Sequence, residues 1–317
     1  MSHAPTPPNS VRQTALLAGF VALCALGMVG CGWWLERERP PTDLTLEDQP
    51  LYGNDRNMRR MSLAFNGLVA DWYWMRSLQY VGRKALRSIE AGENIQLDDL
   101  SNLNLKLLTP MLERTTTLDP HFIPAYAYGG IVLPAVNQDA AIKLLEKGIA
   151  NNPNEWRLYQ HLGYIYWKRQ EYQKASDAYS AGGRIPGAPS WLPAISARML
   201  NLGGNRDTAR EIYRRLAEEA SDASLKQMAE LRLAEVDSFD ERDAIRQAMK
   251  AFRARTGRCP TNWRELQNEL RAARLPNGQP LVLDAAGAPV DPSNAPYALT
   301  QAGCEVALGP QTKLPFQ

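Results

Sequence analysis

Apolar and polar positions along this chain alternate at spacings of three and four over most of its length, a period that predicts helices. The first apolar run, residues 14–35, has 22 residues and no charge, enough to span a bilayer as a helix. In residues 61–82, Leu63, Gly67, Ala70, Trp74, Leu78 and Val81 fall on one stripe. Phe65, Leu68, Trp72 and Met75 fall on a second, which Gln79 ends. A helix apolar on two sides is expected to be buried between neighbours. Helical period returns at 103–118, which closes on Leu118, Asp119 and Pro120, and again at 223–236 and 240–255, which read as one helix pair. After Arg255, prolines and glycines such as Pro260, Pro276, Gly278 and Pro292 break any long helix. One short helix is expected there, at 262–273, opened by Thr261 with Trp263, Leu266 and Leu270 on one face. Short extended pieces follow at 281–283 and 297–299.

The middle of the chain has a longer rhythm. Ala141, Ala175 and Ala209 lie 34 residues apart with no insertion. Four residues after each comes a large apolar side chain: Leu145, Tyr179, Tyr213. Twelve residues before each comes a small one: Gly129, Gly163, Ala197. Small residues at this period let paired helices approach, and one pair alone cannot bury its apolar stripe, so units must stack. The unit 156–189 has Tyr159, Leu162, Gly163, Tyr166, Ala175, Tyr179 and Gly182. The unit 122–155 has Tyr128, Gly129, Val132, Ala141, Leu145, Gly148 and Pro153. A third unit from Ser190 keeps Ala197, Leu200, Ala209 and Tyr213 and departs at Pro193 and Leu216. This pattern resembles the tetratricopeptide repeat over roughly a third of the chain. The resemblance implies an all-α repeat array in which the first helix of each pair lines a concave groove. Its inward positions would be Tyr126, Leu133, Arg157, Gln160, Tyr164, Trp167, Arg198 and Asn201. Aromatic rings there would supply apolar pockets, and arginine and asparagine would hold peptide backbone or a carboxylate.

The ends of the chain set its compartment. Trp33 and Trp34 close the apolar run where indoles prefer the membrane boundary, and Glu36, Arg37, Glu38 and Arg39 stop it. Arg12 is the only charge before it besides the N-terminus. A retained signal anchor, with the body exported, is the expectation. Met28, Val29, Gly30 and Cys31 resemble a lipobox, which would make Cys31 a lipidation site, and a cleaved signal peptide is the third course. Of the four cysteines, Cys259 and Cys304 bracket the C-terminal segment and are candidates for a disulfide, which would place it in an oxidising compartment. That segment also resembles the tail module of some type II secretion pseudopilins.

Charge and motifs narrow the function. With 36 basic and 34 acidic residues the formal net charge is +2, which argues against nucleic-acid binding driven by charge. No nucleophile elbow, zinc-protease, phosphate-loop or dinucleotide motif occurs, and the three histidines, His3, His121 and His161, have no metal-ligand spacing. No catalytic residue, cofactor or metal is expected. Asp71 and Trp72 to Trp74 read either as a dock for a membrane partner or as part of a first core helix, with Asp71 paired to an arginine. The expected organisation is a tail at 1–13, an anchor at 14–35, a linker at 36–52 and a helical lead-in at 53–121. Repeats at 122–221, a terminal helix pair at 222–256 and a small irregular module at 257–317 follow. The expected role is a membrane-anchored scaffold that binds proteins on the exported side of a bacterial inner membrane, in the periplasm. A lipoprotein of pilus or secretion assembly and a non-catalytic subunit of a membrane enzyme complex are the alternatives.

Overall fold

A computed structural model describes residues 9–37, 64–96, 99–220, 222–300 and 304–315. The chain divides into two units, residues 1–54 and 55–317. The first contains α1 (Asn9–Arg37). Over the described side chains no helix is long and apolar enough to cross a membrane. In α1 those side chains run unbroken only over 18–34, so both ends of the predicted span lie outside them, as does the linker beyond Arg37. Cys24 and Cys31 are exposed free thiols on α1.

The second unit is mostly helical. It contains α2 (Asn66–Glu90), α3 (Leu108–Leu118), α4 (Ile123–Val132), α5 (Gln138–Asn151), α6 (Trp156–Lys168) and α7 (Tyr172–Gly183). α8 (Leu192–Leu202), α9 (Arg206–Glu219), α10 (Ala223–Thr256) and α11 (Gln267–Ala272) follow, then β1 (Ala298–Thr300) and β2 (Glu305–Ala307). Local chemistry sets many of the ends. Asn137 and Asn205 cap α5 and α9 by accepting from the amides of Ala140 and Thr208, and Asp222 caps α10. Pro193, a departure from the repeat pattern, sits in the first turn of α8, where a missing amide costs nothing. Gly257, at φ 75°, ends α10 in the left-handed conformation glycine tolerates.

From α2 to α10 each helix packs on its sequence neighbour, and α3 also meets α5 and α4 meets α6. The small residues sit at the crossings. A side chain on Gly163 would come 2.9 Å from the Tyr179 ring, and one on Gly129 would collide with Leu144. Ala141, Ala175, Ala197 and Ala209 are fully buried. One core runs from Ala70 on α2 to Ala178 on α7; smaller ones join α7 to α8 and α8 through α9 to Val236 on α10.

Several expectations need correction. The terminal helix pair is one continuous helix, α10, because Asp237, Ser238 and Phe239 include no helix breaker. The predicted helix 103–118 starts only at Leu108; Asn104 is left-handed at φ 51°, and the Pro110 ring would clash with a helical carbonyl four residues earlier. α2 runs later than 61–82, and residues 61–63 lie outside the described residues. Only one of its faces is buried, through Ala70, Tyr73, Ser77 and Tyr80, while Phe65, Leu68, Trp72 and Met75 are exposed. Asp71 is exposed and has no ion-pair partner among the described residues.

α10 joins the helical stack to the C-terminal segment. On its first side, Arg206 donates to Asp240 at 2.9 Å and Asp243 at 2.6 Å. Arg210 donates to Asp237 at 2.9 Å and also to Asp240. On the other, Ile245, Met249 and Phe252 pack with Leu266, Leu270, Leu281, Tyr297 and Val306. Asn262, rather than Thr261, caps the short helical turn there, accepting from the Glu265 amide. β1 pairs antiparallel with β2, Leu299 opposite Val306. Cys259 and Cys304 are disulfide-bonded, with Cα atoms 5.5 Å apart.

Glu241 lies buried in this junction and accepts a hydrogen bond from the Tyr297 hydroxyl at 2.7 Å. Burial pushes its carboxyl up to about 7, and the neighbouring charges of Asp237, Asp291 and Asp240 add to the shift against the Tyr297 bond. The folded protein then holds a proton that the unfolded chain, with an ordinary value of 4.5, gives up. Glu241 therefore makes stability fall as pH rises from 4.5 to about 7. Urea midpoints measured across that window should decline for the native protein and lose this decline in Glu241→Gln. Parallel profiles for the two proteins would contradict the assignment.

Candidate functional site

The helices that pack side by side leave a cavity of about 560 Å³. α4 supplies Gly130 and Ile131, and α6 supplies Gln160, His161, Tyr164 and Trp167. Tyr179 comes from α7, Trp191 from the residue before α8, and Ile195, Arg198 and Met199 from α8 itself. Helical spacing places the α6 residues on one face. Gly130 brings α4 against that face, since a side chain there would meet the His161 Cβ at 2.9 Å.

The walls are aromatic. The Tyr164 and Trp167 rings are tilted against each other with centroids 5.6 Å apart, and the Lys168 ammonium lies 6.0 Å from each. Trp191 meets Trp156 edge-on at 6.5 Å. Tyr164, Trp167 and Trp191 remain more than a third exposed, so large apolar surfaces face solvent here. Burial lowers the His161 pKa from its ordinary value of 6.5, which keeps the ring neutral at pH 7. Arg198 is exposed and has no ion-pair or hydrogen-bond partner among the described residues. Among the described residues, none that lines the cavity is acidic. It can therefore hold an apolar or aromatic group and offer one free guanidinium to an oxygen beside it.

Of the residues expected in a groove, Gln160, Tyr164, Trp167 and Arg198 come together in this cavity. Tyr126 does not: it is fully buried, with its ring 2.8 Å from where a Gly148 side chain would begin. Leu133 is likewise in the core. α4 packs against α3, α5 and α6, and the face that carries Tyr126 and Leu133 is interior rather than open. Arg157 turns back, its guanidinium 4.5 Å from the Trp156 ring centroid and 3.0 Å from Glu155. Asn201 lies outside the cavity, and its buried Oδ1 has no hydrogen-bond partner. Sequence reasoning missed Gly130, Ile131, His161, Tyr179, Trp191, Ile195 and Met199. Ile195 and Trp191 could have been found by stepping back three and seven residues from Arg198 along the same helical face.

A second cavity, of about 470 Å³, lies beside α9 and α10 and is lined by charged residues including Asp207, Arg210, Asp237 and Asp240. Arg210 already bonds all three of those aspartates, so this hollow is electrostatically self-satisfied. Among the described residues no three His, Cys, Asp or Glu side chains come together as a metal set. No family model and no curated protein matches the chain.

Proposed function

We propose that this chain is a membrane-anchored adaptor of the tetratricopeptide type that binds another protein on the exported side of a bacterial membrane and has no catalytic activity of its own. The observation that carries the reading is the aromatic cavity walled by Tyr164, Trp167 and Trp191, with Arg198, unpaired among the described residues, at its side. Exposed aromatics and arginine around a concavity are the residue types that dominate protein-binding hot spots. The 34-residue period of Ala141, Ala175 and Ala209 supports a stack of helix pairs. The uncharged run 14–35 supports a single-pass anchor, and the Cys259–Cys304 disulfide supports an oxidising compartment for the body.

The test is recovery of partners from detergent-solubilised membranes. A Trp167→Ala, Tyr164→Ala double variant should lose its specific partner by about tenfold or more, the range that hot-spot truncation gives. Its far-ultraviolet circular dichroism should stay native, because both rings are more than a third exposed and neither belongs to a buried core. Equal recovery by the variant and the native chain would move the binding surface elsewhere.

A further inference from the structure

α2 presents to solvent a seam that the rest of the described chain leaves uncovered. Phe65, just before the helix, then Trp72, Gln79 and Leu86 lie seven residues apart, and all are exposed. Leu68, Met75, Gly82 and Ile89 lie three residues after each of these and are exposed as well. The spacing is three, four, three, four without interruption from Phe65 to Ile89, a mean of 3.5. That is the a and d pattern of a coiled coil, and it differs from the 3.6 period of a helix simply facing a globular core. The buried face, through Ala70, Tyr73, Ser77 and Tyr80, is a separate face of the same helix. Leu68 is 68% exposed and Phe65 67%, values a soluble surface seldom combines along one line.

We infer that this seam pairs with the same seam of a second copy of the chain, parallel and in register. The charges beside it decide the occupant and its direction. In heptad terms Asp71 holds a g position and Arg76 and Arg83 hold e positions. In a parallel pair a g residue faces the e residue five places later on the other helix. Asp71 then meets Arg76 of the second copy, and twofold symmetry makes that ion pair twice. Asp71 is exposed with no partner in its own chain among the described residues. Arg76 already leans along the seam, its guanidinium 5.0 Å from the Trp72 ring centroid. In a fully overlapped antiparallel pair, Arg76 would instead face Arg83 of the second copy, a repulsive contact made twice. Gln79 meets its own equivalent across the axis, the kind of single polar a position that fixes register in a parallel pair. Gly82, with open space around its Cα, lets the two backbones come close.

The experiment uses the full-length chain in detergent with Cys24→Ser and Cys31→Ser, which removes the exposed thiols of α1. Met75→Cys on the seam should cross-link to a dimer under mild oxidation about tenfold faster than Gly67→Cys, which is exposed on α2 but off the seam. Asp71→Arg should lower the dimer yield, and adding Arg76→Asp should restore it, a rescue that a merely structural role for either residue would not give. A monomer by light scattering, with Met75→Cys freely labelled by maleimide, would overturn the inference. So would a Met75→Cys cross-link to a different protein, or within the same chain to a second cysteine introduced between residues 38 and 63. Preferential pairing of Leu68→Cys with Leu86→Cys would overturn the parallel arrangement.

Discussion

Tyr213→Ala is expected to cost about 3–5 kcal/mol of folding stability, the range for emptying a buried aromatic site. Tyr213 is 2% exposed and stands where α8, α9 and α10 meet, packed with Ala194, Ala197, Leu200, Ala209 and Val236. Three of those five neighbours are alanines, whose single methyl group is too short to fill the space left behind. The hydroxyl contributes separately, by donating to the Ala194 carbonyl at 3.2 Å. Tyr213→Phe keeps the ring and should therefore cost only about 1 kcal/mol, the net value of one hydrogen bond. Urea unfolding of the two variants separates the packing and hydrogen-bond contributions. Equal losses would show that the ring does not hold the three helices together.

Breaking the Cys259–Cys304 disulfide is expected to destabilise the C-terminal segment by about 4 kcal/mol on the chain-entropy estimate for the 45-residue separation it closes. The segment depends on it because its regular structure is sparse: a helical turn, α11 and a three-residue hairpin. A body with so little ladder and so small a core is the kind that a covalent staple sustains. In a Cys259→Ala, Cys304→Ala variant, protease cleavage between residues 276 and 296 should accelerate, while α4 to α6 keep their resistance. Unchanged cleavage would mean that packing on α10 alone suffices.

Much of the packing was legible in the sequence because it rests on residues whose size has a periodic reason. Ala141, Ala175 and Ala209 are fully buried, and Tyr179 fills the space Gly163 leaves open. The candidate cavity was half legible. Gln160, Tyr164, Trp167 and Arg198 follow from helical register, whereas Tyr126 occupies the equivalent register on a face of α4 that is fully buried. Register says which residues share a face; it does not say whether another helix lies over that face. The same limit applies to α2, whose two apolar stripes look alike in sequence although only one meets the body. At α10 the apolar pattern changes phase around Asp237, and a phase change resembles a break. It is instead the point where one helix passes from one set of neighbours to another.

That passage makes α10 a splint. Its 34 residues extend about 51 Å at the usual rise, with Val236 in one core and Ile245, Met249 and Phe252 in the next. No glycine or proline interrupts the backbone ladder between them. If either core loosens, it exposes one half of a helix whose other half is still clamped. Local fraying there must stop within the helix or take both cores with it. The last helices of the stack and the stapled segment beyond them thus form one cooperative folding unit, and a pull applied to the C-terminal segment is delivered along a stiff rod to the Arg206 and Arg210 clasp on α9.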